Sequence, residues 1–517
     1  MLRVKLDVAA SCCEPTGKCS FLNDIQSGFS FTPGSAIPDL ITAQAAIYSS
    51  KDYLELLPYI AMIETHLQKR NPGTIKKSSL RKSILKLSSI LKNFPDFEIS
   101  KLNYKANILI VGEASRPTEI KMMVRLLVGT LLSGLTVIYI TKIGSQEHVE
   151  LSASAEFHSL SNQVIFLDHF PKRSTILRFI NQIKIHNLIH TDSKKIKAAL
   201  PNGIYLRPDY ASWMYEIAKA KLSWKYLDSC LDFDSVIVKN HWMPISATVA
   251  VQSILKQKLV VTFQHGIISC PTAFSPIIAS RILCFGSTSQ ELLRRVDKKL
   301  AEASNRLGYC MDFMKAGSLF DDISLLPNQQ VRSCLLVIDQ TSDWGAKFYG
   351  IQNEYEALRD IVRKMILRLK TLRKVIIRPH PDTKDLTAWL SLLEEFPDRV
   401  EISHPAITLQ TDLSRSSVVL GLFSGAIAIA AASGLPVMFL REPDWFFTPD
   451  LTPFIKHSFV SCAESVNRIE TLLTDTEEYI AARNNSLKAA EYYYLERKMC
   501  EFEPEFIKRL LSPINQG

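Results

Sequence analysis

KVIIRPHP (374–381) and SVVLGLFSG (417–425), the second followed by AIAIAAA (426–432) and PVMFL (436–440), decide how this chain folds. Each opens with a short apolar run that stops abruptly in polar or glycine-containing sequence. That is the pattern of a strand buried on both faces of a parallel sheet, delivering its last residues to the carboxyl edge. In open α/β sheets ligands bind at that edge. Arg378 and His380 leave the first strand, and Ser424 and Gly425 leave the second. A guanidinium and an imidazole donate charge-assisted hydrogen bonds, while a helix beginning at Gly425 offers free N–H groups and the positive end of its dipole. Such a set suits a phosphate. Gly434 and Pro436 stop the small-residue helix, and 436–440 reads as the next strand.

Working outward, the same rhythm of strand and helix extends in both directions. Towards the N-terminus the spacing predicts strands at 106–113, 136–141, 163–168, 187–190, 235–239, 258–263 and 281–286, with helices at 120–133, 175–184, 209–227 and 244–257 between them. In the other half it predicts strands at 334–339, 375–377, 400–402, 417–420 and 436–440, with helices at 352–372 and 386–396. Alternation of this kind argues for doubly wound parallel sheets. The expected division is an extension over 1–102, a first Rossmann-like domain over 103–315, a linker over 316–332, a second domain over 333–460, and helices over 461–517.

The other strand ends supply further candidates. The strand at 258–263 ends in Gln264, His265 and Gly266. A histidine leaving a buried strand before a glycine puts its ring at the crevice and lets a ligand approach the backbone. His265 reads either as a general base towards a hydroxyl or as a residue that caps its strand, with Gln264 and Gly266 as substrate contacts. Glu113, after the strand ANILIVG (106–112), reads as a second candidate base or as an ordinary helix cap. His241 holds the equivalent place after 235–239. In the loop DWFFTPDLTP (444–453) Asp444 either contacts a base or sugar or packs on the crevice lip. Asp232 and Asp234 have the spacing of a metal-binding pair but precede their strand, so no metal is expected.

At 517 residues, 47% hydrophobic and 22% charged, the chain has enough apolar sequence for two cores and is far from the composition of a disordered protein. Its ten cysteines include no C-x-x-C pair, which argues against a zinc site and for buried thiols in a reducing compartment. Met1 to Gly17 carries Asp7 and Glu14 and lacks a long apolar core, a poor secretory signal. The uncharged run 416–440 is long enough to span a bilayer, but Ser424, Gly434 and Pro436 punctuate it as strand, helix and strand. A cytoplasmic protein is expected. Net charge of +9 suits an anionic donor or an anionic surface. Between Leu67 and Asp96 eight basic residues and no acid surround Leu80, Ile84, Leu87 and Leu91 at helical spacing. That amphipathic helix either touches anionic lipid at the inner face of the membrane or packs on its domain with its lysines in water. It lacks interleaved aromatics, so nucleic acid is not an expected partner.

The His-Pro dipeptide after a strand (380–381), the hydroxyl residue opening a small-residue helix some forty residues later (Ser424), the G-x-P-V behind it (434–437) and Gln264-His265-Gly266 together resemble the GT-B glycosyltransferases of bacterial surface-polysaccharide synthesis. Similar proteins there are capsule and lipooligosaccharide sialyltransferases, Kdo transferases and CDP-glycerol glycerophosphotransferases. The resemblance is carried by residues 258 to 440. It implies an α/β fold of two facing Rossmann-like domains with an N-terminal helical extension, the first domain holding the acceptor, the second the donor, and the helices over 461–517 packing back on the first, and a metal-independent transfer without cofactor. The partners implied are a nucleotide-sugar donor, a CMP-sugar among them, and a glycan or lipid-linked acceptor. His380 and Ser424 would hold the donor's phosphate and ribose. The second hydroxyl of the family's usual pair is here Gly425. A nucleotide-sugar epimerase of the same architecture and an idle binding protein that keeps both sheets are the alternatives.

Overall fold

The computed structural model describes residues 67–69, 104–114, 116–154, 160–168, 184–194, 204–206, 210–241, 243–264, 277–294, 312–319, 323–327, 332–339, 352–380, 383, 385–422, 424–442, 454, 458–493 and 500–514. In chain order the strands of the first half are β1 (Leu67–Lys69), β2 (Tyr104–Lys105), β3 (Ile108–Val111), β4 (Val137–Thr141), β5 (Val164–Asp168) and β6 (Ile204–Leu206). Then come β7 (Leu231–Asp232), β8 (Ser235–Val238), β9 (Leu259–Phe263), β10 (Arg281–Cys284) and β11 (Asp312–Lys315). Seven of them form one parallel sheet in the order β11-β10-β9-β8-β3-β4-β5. The second half supplies β12 (Cys334–Ile338), β13 (Lys374–Arg378), β14 (Val400–Ile402), β15 (Val418–Gly421), β16 (Val437–Leu440) and β17 (Phe459–Val460). These make a second parallel sheet, ordered β14-β13-β12-β15-β16-β17. The fold is therefore α/β, with two doubly wound sheets.

Helices cover both faces of the first sheet, which is why its central strands are apolar throughout rather than alternating. Ile108, Ile110 and Tyr139 point to one face, where Met122, Met123 and Leu126 of α1 (Pro117–Leu132) meet them. Leu109, Val111, Ile138 and Ile140 point to the other, where α4 (Tyr210–Leu227) and α5 (Pro244–Leu255) close the core with Met214, Ile217, Ala247 and Ala250. Between them lie α2 (Gln146–Ala153) and α3 (184–194), and α6 (287–294) follows β10. The second sheet carries α7 (Gln352–Arg368), α8 (Thr387–Glu395), α9 (Leu409–Ser414) and α10 (Gly425–Ala432). The run 416–440 is strand, helix and strand, and no helix among the described residues is long and apolar enough to cross a membrane.

Three expectations need correction. Residues 187–190 are not a strand but the middle of α3. Ile185, Leu188 and Ile189 pack at helical spacing on Tyr215, Ala218 and Leu222 of α4, so the period of 3.6 prevails over the short apolar run. Leu67–Lys69, at the start of the basic stretch in the expected helical extension, is instead a strand antiparallel to β6. The rest of the N-terminal extension, its basic helix included, lies outside the described residues. Of the three C-terminal helices, α11 (Ser465–Thr474) and α12 (Thr476–Tyr493) lie against the second unit rather than the first. Tyr479 donates its hydroxyl to the Ser417 carbonyl, and Ser486 Oγ accepts from the Val437 N–H.

Among the described residues it is α13 (Pro504–Leu511) that is anchored on a strand of the first sheet. Arg281, buried on β10, pairs with Asp312 and donates to the carbonyls of Arg509, Leu510 and Ser512 at the carboxyl end of α13. A guanidinium there satisfies orphan carbonyls and complements the helix dipole. The chain's two passages beside α1 are held together by one side chain, since Arg125 donates to the Leu319 carbonyl at 2.7 Å and to the Cys500 carbonyl at 2.6 Å.

Candidate active site

A doubly wound sheet has one switch point, where the chain turns from adding strands on one side to adding them on the other, and the crevice outside it is the ligand site. In the first sheet the switch lies between β3 and β8. Gly112, Glu113 and Ala114 leave β3, and Lys239, Asn240 and His241 leave β8. Glu113 is thus placed by topology. Its Oε2 accepts from Ser246 Oγ at 2.5 Å and from the Ser246 N–H at 3.3 Å, in the first turn of α5. Among the described residues nothing donates to Oε1. Burial pushes its carboxyl up to about 7, against the Ser246 hydroxyl and N–H and the Lys239 cation, which pull it down; the nearby Glu147 charge adds to the rise.

Behind Glu113 the polar groups are paired. Lys239 and Glu119 of α1, both buried, form an ion pair at 2.6 Å. Glu147 of α2 accepts from Tyr139, Thr141 and the Ala114 N–H. His241 is buried at the same strand-to-helix turn.

Gln264, at the end of β9, is buried with its amide engaged inside the protein. Its Nε2 donates to Ser289 Oγ at 3.0 Å and its Oε1 accepts the Phe285 N–H at 2.8 Å, which ties the ends of β9 and β10 together. His265, Gly266 and Asp444 lie outside the described residues.

In the second sheet the switch lies between β12 and β15. Ser424 stands there as the N-cap of α10, its Oγ accepting the Ala426 N–H at 3.2 Å, with Gly425 the first helical residue. A Cβ on Gly421 would sit 2.6 Å from Ile427 Cδ1, so the bare glycine is what allows α10 to begin this close to β15. Asp339 leaves β12 on the neighbouring strand, is buried, and accepts from Trp389 Nε1 at 2.7 Å. It was not singled out from the sequence, although an acid directly after the strand CLLVI (334–338) marks the position. Arg378 is the last residue of β13 and His380 follows it, on the far side of β12 from Ser424. The Arg378 guanidinium is anchored on the turn that leads into α9. Its Nη1 donates to Asp412 Oδ2 at 2.5 Å and to the Ile407 carbonyl at 3.1 Å, and Ser403 Oγ donates to the same Asp412 oxygen at 2.6 Å. Part of the positive charge expected for a phosphate is thereby offset by a buried carboxylate. His380 is half-buried, and its carbonyl accepts the Thr383 N–H.

Among the described residues no group of three or more His, Cys, Asp and Glu side chains is arranged to hold a metal ion.

No family model matches the chain, and no curated protein matches it. Solved structures do. A glycosyltransferase from Rickettsia africae is 13% identical, with 79% of this chain and 99% of that one covered at a TM-score of 0.43. MurG from Acinetobacter baumannii is 9% identical over 75% of this chain and 95% of its own, at 0.40. A protein from Listeria monocytogenes described as a UDP-N-acetylglucosamine 2-epimerase is 15% identical over 75% and 94%, at 0.41. Scores this low carry no argument about what this chain does.

Proposed function

We propose that the chain is a glycosyltransferase of GT-B architecture that moves a sugar from a nucleotide donor to a glycan or lipid-linked acceptor. The observation that carries this reading is the pair of switch points, one bearing the raised carboxyl of Glu113 and the other the Ser424-capped N-terminus of α10. Glu113 at the first has a carboxyl poised near neutral pH and one oxygen free of described partners, the requirement for a general base towards an acceptor hydroxyl. Ser424 and the N-terminus of α10 at the second suit the donor's phosphate, with His380, after β13 on the other side of β12, adding a further donor. In this reading those groups stabilise the departing nucleotide without a divalent ion. His265 is the alternative base, and Asp339 is a further contact for the donor.

An epimerase needs several acids around one sugar. Glu119 and Glu147 are spent on internal partners, which leaves Glu113 as the acid at the first switch point with an oxygen to spare. That balance favours transfer. A CMP-sugar donor, a surface polysaccharide as product, and a cytoplasmic site of action with contact to the inner face of the membrane complete the proposal.

Thermal shift against CMP, UDP, GDP and CDP tests it first. A nucleotide at one hundred times its dissociation constant stabilises by about 2.7 kcal/mol. His380→Ala should then weaken binding of the active nucleotide by roughly 1.5 to 3 kcal/mol, the size of a charge-assisted hydrogen bond. No shift with any of the four, or a shift that His380→Ala and Ser424→Ala leave untouched, sinks the assignment.

A further inference from the structure

Glu147 is a buried acid that the proposed reaction does not use. It starts in the first turn of α2, and its carboxylate lies under the turn that carries Glu113. Oε1 accepts from the Tyr139 hydroxyl at 2.9 Å and from the Ala114 N–H at 3.4 Å, and Oε2 accepts from Thr141 Oγ1 at 2.7 Å. A Cβ on Gly112 would lie 2.4 Å from Glu147 Oε1 and 2.5 Å from the Tyr139 hydroxyl. The glycine is what admits the carboxylate to this place.

We infer that Glu147 is a positioning residue for Glu113, a buried carboxylate that grips the 112–114 turn and sets the electrostatic surroundings in which Glu113 gains and loses its proton. The inference rests on the reading of Glu113 as the base. Three groups act on that carboxyl: Ser246 from α5, Lys239 from the end of β8 and Glu147 from α2; Glu119 from α1 pairs with Lys239, and Tyr139 from β4 donates to Glu147. Lys239 is the cation of this group, and it is bonded to Glu119. Glu113 and Glu147 therefore share what is left of its field, and charge on either one resists charge on the other. Holding the turn in place does not require that charge. A glutamine at 147 keeps the size and an acceptor oxygen while removing the charge, so Glu147→Gln separates packing from electrostatics.

The test is a titration of Glu113 in the full chain, without substrate. The protein is labelled with carboxyl-13C glutamate, and the Glu113 resonance is assigned by its loss in Glu113→Gln. In Glu147→Gln the Glu113 midpoint should fall by about one pH unit, the scale of a like-charge neighbour. Thr141→Val, which removes a donor from Glu147 and so weakens its hold on negative charge, should move the midpoint the same way by less; it also serves if Glu147→Gln does not fold. Glu147→Asp should restore most of the shift. An unmoved Glu113 midpoint in a folded Glu147→Gln or Thr141→Val protein overturns the inference. A midpoint that moves as expected supports it even where Glu113→Gln leaves sugar transfer intact, in which case it is the assignment of the base that fails.

Discussion

Glu113→Gln should change stability in a way that depends on pH, with a sign and size that follow from the carboxyl's surroundings. Burial lifts Glu113 from an ordinary 4.5 to about 7. A carboxyl that holds its proton more tightly in the folded state makes that state bind more protons than the unfolded chain between those two values, so stability falls as pH rises through the window. Below 4.5 both states are protonated and nothing is lost, whereas above about 7 the loss is complete. The difference, about 7 minus 4.5, is about 2.5 units, and at 1.36 kcal/mol per unit it amounts to about 3 kcal/mol. Residual contact with water trims this to roughly 2 to 3 kcal/mol. Glutamine carries no charge at either end of the window. The stability of Glu113→Gln relative to the parent should therefore rise by that amount from about pH 4 to about pH 8. Urea unfolding of both proteins, followed by far-ultraviolet circular dichroism across the range, measures it, and taking the difference removes the groups that titrate alike in both. A difference that is flat with pH, or that falls, refutes the account of Glu113 and with it the case for a base poised near neutrality.

Two further outcomes follow from the packing. Gly112→Ala forces a methyl against Glu147 Oε1 and the Tyr139 hydroxyl at 2.4 and 2.5 Å, so it should cost about 1 to 3 kcal/mol in thermal or urea unfolding; a neutral result would mean that the turn yields easily. Arg281→Ala leaves Asp312 and the last carbonyls of α13 without their partner, and hydrogen exchange over 504–511 should speed up well beyond that of β9 and β10; equal protection in the variant would show that α13 is held by its apolar face alone.

The unit from β15 to β16 was legible because every local signal agrees. Four apolar residues make a strand, seven small apolar residues make a helix that fits tightly on it, and Gly434 ends that helix with φ of 82°, in the left-handed region glycine favours. Glu113 was legible as a position, since it follows a strand; its raised proton affinity was not, because the burial that causes it comes from the packed fold, and the Ser246 that opposes it lies 133 residues away in the chain. Arg378 illustrates the opposite limit. A charged residue at a strand end reads the same whether it meets a ligand or a buried acid, and Asp412, 34 residues on, carries no mark of the pairing. Residues 187–190 were misread because four residues are too few to separate a period of two from one of 3.6. Asp339 was visible at its strand end, but nothing in the sequence points to Trp389 as its partner.

The two switch points offer complementary chemistry, and the chain links them by a short route. Behind the proposed phosphate site, α10 packs on α12, where Arg483 donates to the Gly434 carbonyl at the end of α10 and to the Leu326 carbonyl in the segment that leads into the second unit. Near its own end α12 presents the Tyr492 carbonyl to Thr288 of the first unit at 3.0 Å, and the chain then enters the Cys500 passage that Arg125 binds to Leu319. Arg125 belongs to α1, the helix whose first turn supplies Glu119 to the ion pair with Lys239 beside Glu113. A displacement of α10 on binding an anion would therefore reach the turn that carries the proposed base through two helices, α12 and α1, two guanidiniums, Arg483 and Arg125, and one ion pair, Glu119 with Lys239. Coupling of this kind needs two elements that meet at a shared clamp, and Arg125, gripping the Leu319 and Cys500 passages of the chain at once, is such a clamp.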